Sequence, residues 1–249
     1  MALMSKKRFV IANWKMYIES SEEAKAFVAG LKRKQKNIQD VDVWIATPFT
    51  MLPLLKGIKV GAQTVSAYEG ARTGEVSAKM AKAAGASFAI VGHSERRALG
   101  ESNENVHEAL VRAASAGLTP VLCVGELERK DDGAHFAYIT EQLTTALRGA
   151  QSLAHKLVVA YEPVWAIGKT AVDAMQPAEL EETAIFIRKT LADLLGRKDA
   201  LKVPILYGGS VEGENAARLL QDGGVGGFLV GHASAQLDSF IEILRACQK

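Results

Sequence analysis

Cysteine is scarce in this sequence: Cys123 and Cys247 are the only two in 249 residues. One lies inside an apolar run and the other near the C-terminus, a poor basis for a disulfide framework, so a reducing, cytoplasmic setting is expected. Charge of one sign is also missing. Thirty Lys and Arg stand against 28 Asp and Glu, which implies no extended basic face for nucleic acid or an anionic membrane. No apolar run approaches the length of a membrane-spanning helix, and residues 1–8 turn basic without a signal-type apolar stretch, so a soluble, unexported protein is expected. There is no Gly/Ser- or Pro-rich linker, no shift in composition along the chain, and no residue pattern that repeats at a fixed period.

Several chemistries are excluded in the same way. The five His are dispersed, with no pair at helical ligand spacing and no CxxC partner, so no metal site is expected. Ala166-Ile-Gly-Lys-Thr170 imitates the tail of a P-loop, but the earlier glycine of that motif would fall on Pro163. Gly208-Gly-Ser-Val-Glu212 imitates a nucleophile elbow, but it ends in Glu where Gly is required. No GxGxxG dinucleotide fingerprint follows the first strand.

What is present is alternation. Short runs rich in β-branched or apolar residues recur at 9–12, 41–46, 59–62, 88–91, 119–124, 157–161, 203–207 and 227–230. Between most of them lie longer stretches with helical spacing, such as 178–195, where Leu180, Ala184, Ile187, Leu191 and Leu195 share one face. Strand and helix alternating eight times without a linker fits an α/β fold, a single (β/α)8 barrel spanning residues 1–249 as one domain, with a doubly wound sheet as the rival. In such barrels chemistry sits where strands end. Asn13 and Lys15 follow the first strand, Gln63 the third, Gly92-His93-Ser94-Glu95 the fourth and Glu126 the fifth. Glu162 follows the sixth, Gly208-Gly209-Ser210 the seventh and Gly231-His232 the eighth. Their placement argues for one shared site.

Each residue has an ordinary reading beside the functional one. Glu162, flanked by Tyr161, Pro163 and Trp165, is either a salt-bridged strand-end Glu or a carboxylate whose basicity desolvation raises for proton abstraction from carbon. His93 is either a core His satisfied by backbone groups or a ring at a helix N-terminus, where the imidazolium is disfavoured. Lys15 is a solvated lysine, an electrostatic stabiliser of negative charge developing in a reaction, or a Schiff-base amine. Gly168, Gly208, Gly209 and Gly231, with Ser210, serve turns or offer N–H groups and a hydroxyl to a phosphate. Cys123 reads as core packing.

Three segments carry most of this chemistry: Ala12-Asn-Trp-Lys-Met16, Val91-Gly-His-Ser-Glu-Arg-Arg97 and Ala160-Tyr-Glu-Pro-Val-Trp-Ala-Ile-Gly168. Together with Tyr207-Gly-Gly-Ser-Val211 and Gly227-Phe-Leu-Val-Gly231, they resemble the signature segments of the triosephosphate isomerase family, in order, from about Lys7 to the C-terminus. The family is itself a standard illustration of tuned carboxylate and imidazole basicity. The resemblance implies a homodimeric, cytoplasmic isomerase of dihydroxyacetone phosphate and D-glyceraldehyde 3-phosphate that needs no metal and no organic cofactor. It makes Glu162 the general base, His93 the electrophile at the substrate carbonyl, Lys15 the cation on the enediolate and Asn13 the residue that orients Lys15. It also implies Glu95 pairing with Lys15, Ser94 and Glu126 in support, and Thr73 and Glu75 in a loop that enters the partner subunit. The alternatives are a catalytically weak phosphate-binding barrel and a barrel aldolase.

The sequence departs from the family pattern at three places. Ile167-Gly168 runs directly into Lys169-Thr170-Ala171, two residues short of the usual lid, which is expected to alter closure or leakage of the enediolate. His232 stands where a second glycine is usual, with weaker phosphate binding or a compensating side-chain contact expected. The loop from Gln63 to Glu75 carries Thr64 in place of Asn and is one residue short, which bears on dimer strength.

Overall fold

A computed structural model describes residues 7–129, 133–169 and 175–248. Eight strands form a closed barrel in sequence order: β1 (Arg8–Asn13), β2 (Val41–Thr47), β3 (Lys59–Ala62), β4 (Phe88–Val91), β5 (Thr119–Val124), β6 (Val158–Tyr161), β7 (Ile205–Tyr207) and β8 (Gly227–Val230). Every pairing is parallel, and β1 closes onto β8 with Phe9 opposite Gly227. The expected (β/α)8 barrel is therefore the fold, and the doubly wound alternative is excluded by closure.

Strand limits agree with the sequence reading to within two residues. The largest difference is β7, which begins at Ile205 and not at 203. Pro204 has no N–H to give to a ladder, although its carbonyl still accepts from Val159 N at 3.0 Å.

Around the barrel lie α1 (Ser21–Lys34), α2 (Ala78–Ala83), α3 (Ser94–Ala98), α4 (Asn103–Ser115), α5 (Ala134–Ala146), α6 (Pro177–Leu195), α7 (Arg197–Ala200), α8 (Gly213–Asp222) and α9 (Leu237–Ala246). Their starts follow from local chemistry. Ser20 caps α1 by accepting from Glu23 N, Ser102 forms a capping box with Asn105 before α4, and Pro177 opens α6 where its missing N–H costs nothing. Leu180, Ala184, Ile187, Leu191 and Leu195 of α6 are all buried, as one apolar face requires.

Two apolar layers result. Val10, Ala12, Ile45, Ala89, Leu122 and Val159 point outward, into the layer between strands and helices. Ile11, Trp44, Ala46, Phe88, Ile90, Val121, Cys123, Val158, Ala160, Leu206 and Leu229 point inward and fill the barrel. Because side chains alternate along a strand, the inward parity extends past the strand ends: 11 leads to Asn13, 160 to Glu162, 206 to Gly208 and 229 to Gly231. The pleat thus delivers these positions to the C-terminal mouth. Among the described residues, no helix is long and apolar enough to cross a membrane.

Candidate active site

The C-terminal mouth opens into a cavity of about 320 Å³ lined by Asn13, Lys15, His93, Glu162, Gly168, Gly208, Gly209, Ser210, Gly231 and His232, with Tyr17 and Lys169 among the remaining walls. Residues from both ends of the chain meet here, as the strand-end reading anticipated.

Glu162 is buried, 2% exposed. Its Oε2 accepts from Ser94 N at 2.8 Å, while Oε1 lies 3.2 Å from His93 Nε2 and has no hydrogen-bond partner. One carboxylate oxygen is anchored by a backbone N–H, and the other faces the His93 ring without a well-aligned hydrogen bond. His93 caps α3, and its Nδ1 accepts from Glu95 N at 3.2 Å. A ring nitrogen that accepts cannot carry a proton, so the neutral tautomer has its hydrogen on Nε2, facing Glu162 and the cavity.

Lys15 is held from three directions. Its backbone takes φ of +46°, a left-handed conformation uncommon for a residue with a side chain. Its N–H donates to Asn13 Oδ1 at 3.3 Å, and its carbonyl accepts from Gln63 Nε2 at 2.9 Å. Nζ donates to Glu95 Oε1 at 2.5 Å. The strained backbone aims the ammonium across the mouth, and such strain persists only where the surroundings enforce it.

Glu126 does not line this cavity; it sits behind it. Its Oε1 accepts from Tyr161 Oη at 2.9 Å and Trp165 Nε1 at 2.8 Å, and its carbonyl accepts from Val164 N at 2.9 Å. The segment after β6 is thereby tied to the end of β5. Ser210 Oγ donates to Ala166 O at 2.9 Å, joining the same segment to the end of β7. Thr170 and Ala171 lie outside the described residues, as does the part of the shortened lid they form.

His232 takes no left-handed backbone, because among the described residues only Lys15 and Asp40 do so without being glycine. The side chain is therefore accommodated without strain, and its ring packs edge-on against Tyr17 at 5.1 Å between centroids. Thr73 and Glu75 lie in an exposed segment and are not among the residues around the cavity. Among the described residues, no three His, Cys, Asp or Glu side chains are gathered as metal ligands.

Sequence reasoning passed over two contributors, Arg97 and Gln142, and read a third neighbour, Cys123, only as core packing. Arg97 Nε donates to Gly92 O at 2.8 Å and its Nη2 to Cys123 O at 3.3 Å, pinning the turn that carries His93. Gln142 of α5 holds both N–H and carbonyl of Gly125, at 2.8 and 3.2 Å. Cys123 stands beside Glu162; burial pushes its thiol well above the usual range, and the neighbouring carboxylate adds to this. Arg97 lies within a signature segment and was legible in principle. Gln142 had no local signal.

The fold and mouth define a barrel enzyme that handles a small anionic substrate with a carboxylate, an imidazole and an ammonium in one cavity. Comparison with known proteins narrows the class. The family model for triosephosphate isomerase matches residues 8–247. The triosephosphate isomerase of Thermus thermophilus is 44% identical over 246 residues, covering 95% of this chain and 97% of that protein. Those of Fusobacterium nucleatum and Carboxydothermus hydrogenoformans are each 41% identical and cover 96% of this chain and 99% and 98% of their own lengths. The chain belongs to the triosephosphate isomerase family, and its reaction is the interconversion of dihydroxyacetone phosphate and D-glyceraldehyde 3-phosphate.

Proposed function

We propose that Glu162 is the base of this isomerisation, removing a proton from one substrate carbon and returning it to the next. The observation that carries the reading is Oε1 of Glu162, buried, free of hydrogen bonds and beside His93 Nε2. In the first half-reaction the carbon-bound proton passes to Glu162, and the electron pair moves onto the carbonyl oxygen to give the enediolate. His93 Nε2–H donates to that oxygen, and Lys15, aligned by Asn13 and Glu95, offsets the growing negative charge. In the second, His93 Nε2 gives its proton to the former carbonyl oxygen and takes one from the neighbouring hydroxyl, so that the carbonyl forms there as Glu162 gives its proton to the adjacent carbon. These side chains supply every proton and charge in the step, so it requires no metal and no organic cofactor.

The substrate phosphate is held by the glycine-rich end of the cavity, at Gly168, Gly208, Gly209, Ser210, Gly231 and His232. Supporting this, barrels commonly bind phosphate after strands seven and eight. The shortened lid acts on closure and on leakage of the enediolate. The chain works as one catalytic domain in the cytoplasm, and its partner is a second copy of itself. Exposed apolar side chains, Met16 at 82% and Leu99 at 78%, together with Met80 and Tyr68, support that pairing. Sedimentation giving only a monomer at micromolar protein would count against it.

The test is coupled turnover of glyceraldehyde 3-phosphate by the wild type and Glu162→Asp, with chelator present. Shortening the base by one methylene should lower kcat by roughly 10²–10⁴-fold with little change in KM. A variant as fast as the wild type would remove Glu162 from the chemistry.

A further inference from the structure

The other mouth of the barrel, where the strands begin, holds a second cavity of about 550 Å³. Six cations line it, Lys7, Arg8, Lys59, Lys156, Arg188 and Lys202, against a single carboxylate, Asp42. The whole chain carries a formal charge of only +2, so this cavity concentrates positive charge that the rest of the molecule balances. Clustered like charges repel, and the repulsion is relieved most directly by an anion placed among them.

Protein partners account for only part of the cluster. Lys202 pairs with Asp199 at 2.7 Å. Arg188 Nη1 donates to the carbonyl oxygens of Ala200 and Val203, and Arg8 Nη1 donates to Val225 O at 3.4 Å. Lys7, Lys59 and Lys156 have no ion pair among the described residues. Lys59 is half-buried, 3.6 Å from the centroid of the Trp44 ring, and burial lowers its pKa with only partial compensation from Asp42. Trp44 is 3% exposed, forms part of the same wall, and its Nε1 has no hydrogen-bond partner.

We propose that this cavity binds a small polyphosphate anion, with Lys7, Lys59 and Lys156 as its charge contacts and Trp44 in its wall. Several separate ammonium groups suit a ligand that carries its charge on linked groups, and lysine serves as a point-charge partner for phosphate. The cavity is also larger than the catalytic one, at about 550 against about 320 Å³. A polyphosphate fills both requirements where a single phosphate fills neither.

The test is calorimetric titration with inorganic tripolyphosphate at low ionic strength, alongside coupled turnover. The proteins compared are the wild type, Lys59→Gln/Lys156→Gln, and the control Lys25→Gln/Lys36→Gln, which removes the same charge from exposed sites elsewhere. One saturable site is expected in the wild type, weakened about 10-fold or more in the first variant and unchanged in the control, with kcat and KM alike in all three. Lys156 is exposed, so Lys156→Gln alone should fold and still weaken binding about 3-fold. Equal affinity in the wild type and both Lys156 variants overturns the proposal, as does an equal fall in the control. Binding that appears only as competition with the triose phosphate places the anion in the catalytic cavity and overturns it too.

Discussion

A Cβ atom on Gly125 would stand 1.9 Å from the carbonyl oxygen of Glu162. The end of β5 is thus pressed against the end of β6 more closely than any other residue type permits, and Glu162 N donates to Val124 O at 2.8 Å across the same seam. On the other side of Glu162, a Cβ on Gly208 would stand 2.9 Å from its Cγ. The carboxylate is therefore positioned by two neighbouring strand ends as well as by its own strand.

Gly125→Ala tests this directly. The methyl group meets backbone, which cannot turn aside as a side chain can, so β6 must shift. The expected outcome is a destabilisation of about 1–3 kcal/mol and a loss of roughly 10²-fold in kcat/KM as the base moves off line. Denaturant midpoints and coupled turnover measure the two effects, and an unchanged kcat/KM would show that the contact does not position Glu162.

Glu126→Leu removes the acceptor shared by Tyr161 Oη and Trp165 Nε1. Each orphaned donor costs on the order of 1–3 kcal/mol if it stays buried. Stability should therefore fall by roughly 2–5 kcal/mol, and KM should rise, because the tie between β5 and the segment following β6 is cut. Glu126→Gln, which keeps an acceptor oxygen, should lose less on both counts. Equal behaviour of the two variants would mean that Glu126 acts by its charge alone.

His232→Gly separates the two expectations for that position. With no backbone strain to relieve and a ring packed on Tyr17, the side chain is expected to contribute to the substrate. The variant should bind inorganic phosphate, as a competitive inhibitor of turnover, about 3–10-fold more weakly, the size of one hydrogen bond or packing contact. Unchanged inhibition would remove His232 from the phosphate site.

Much of the fold was legible because its signals are local. Four strands, β3, β4, β5 and β8, and the start of β2 fall where runs of apolar and β-branched residues place them, and the inner face of α6 follows from its spacing. The strand-end position of Asn13, Lys15 and Glu162 was legible for the same reason, since alternation continues to the end of a strand. Gln142 was not. It lies on a helix, reads as an ordinary polar residue, and acts on Gly125 only because α5 packs behind β5.

The sequence by itself determined eight strands, their order, and which residues stand at the chemical end of each, because hydrogen-bonding periodicity and side-chain size act between near neighbours. Tertiary structure alone decided that β8 closes onto β1 and that Ser94 anchors one oxygen of Glu162 while His93 stands beside the other. It likewise decided the tautomer of His93 and gathered six cations around the far mouth. Each of these depends on distances between residues remote in the chain, which only closure of the barrel brings within reach of hydrogen bonds and charge.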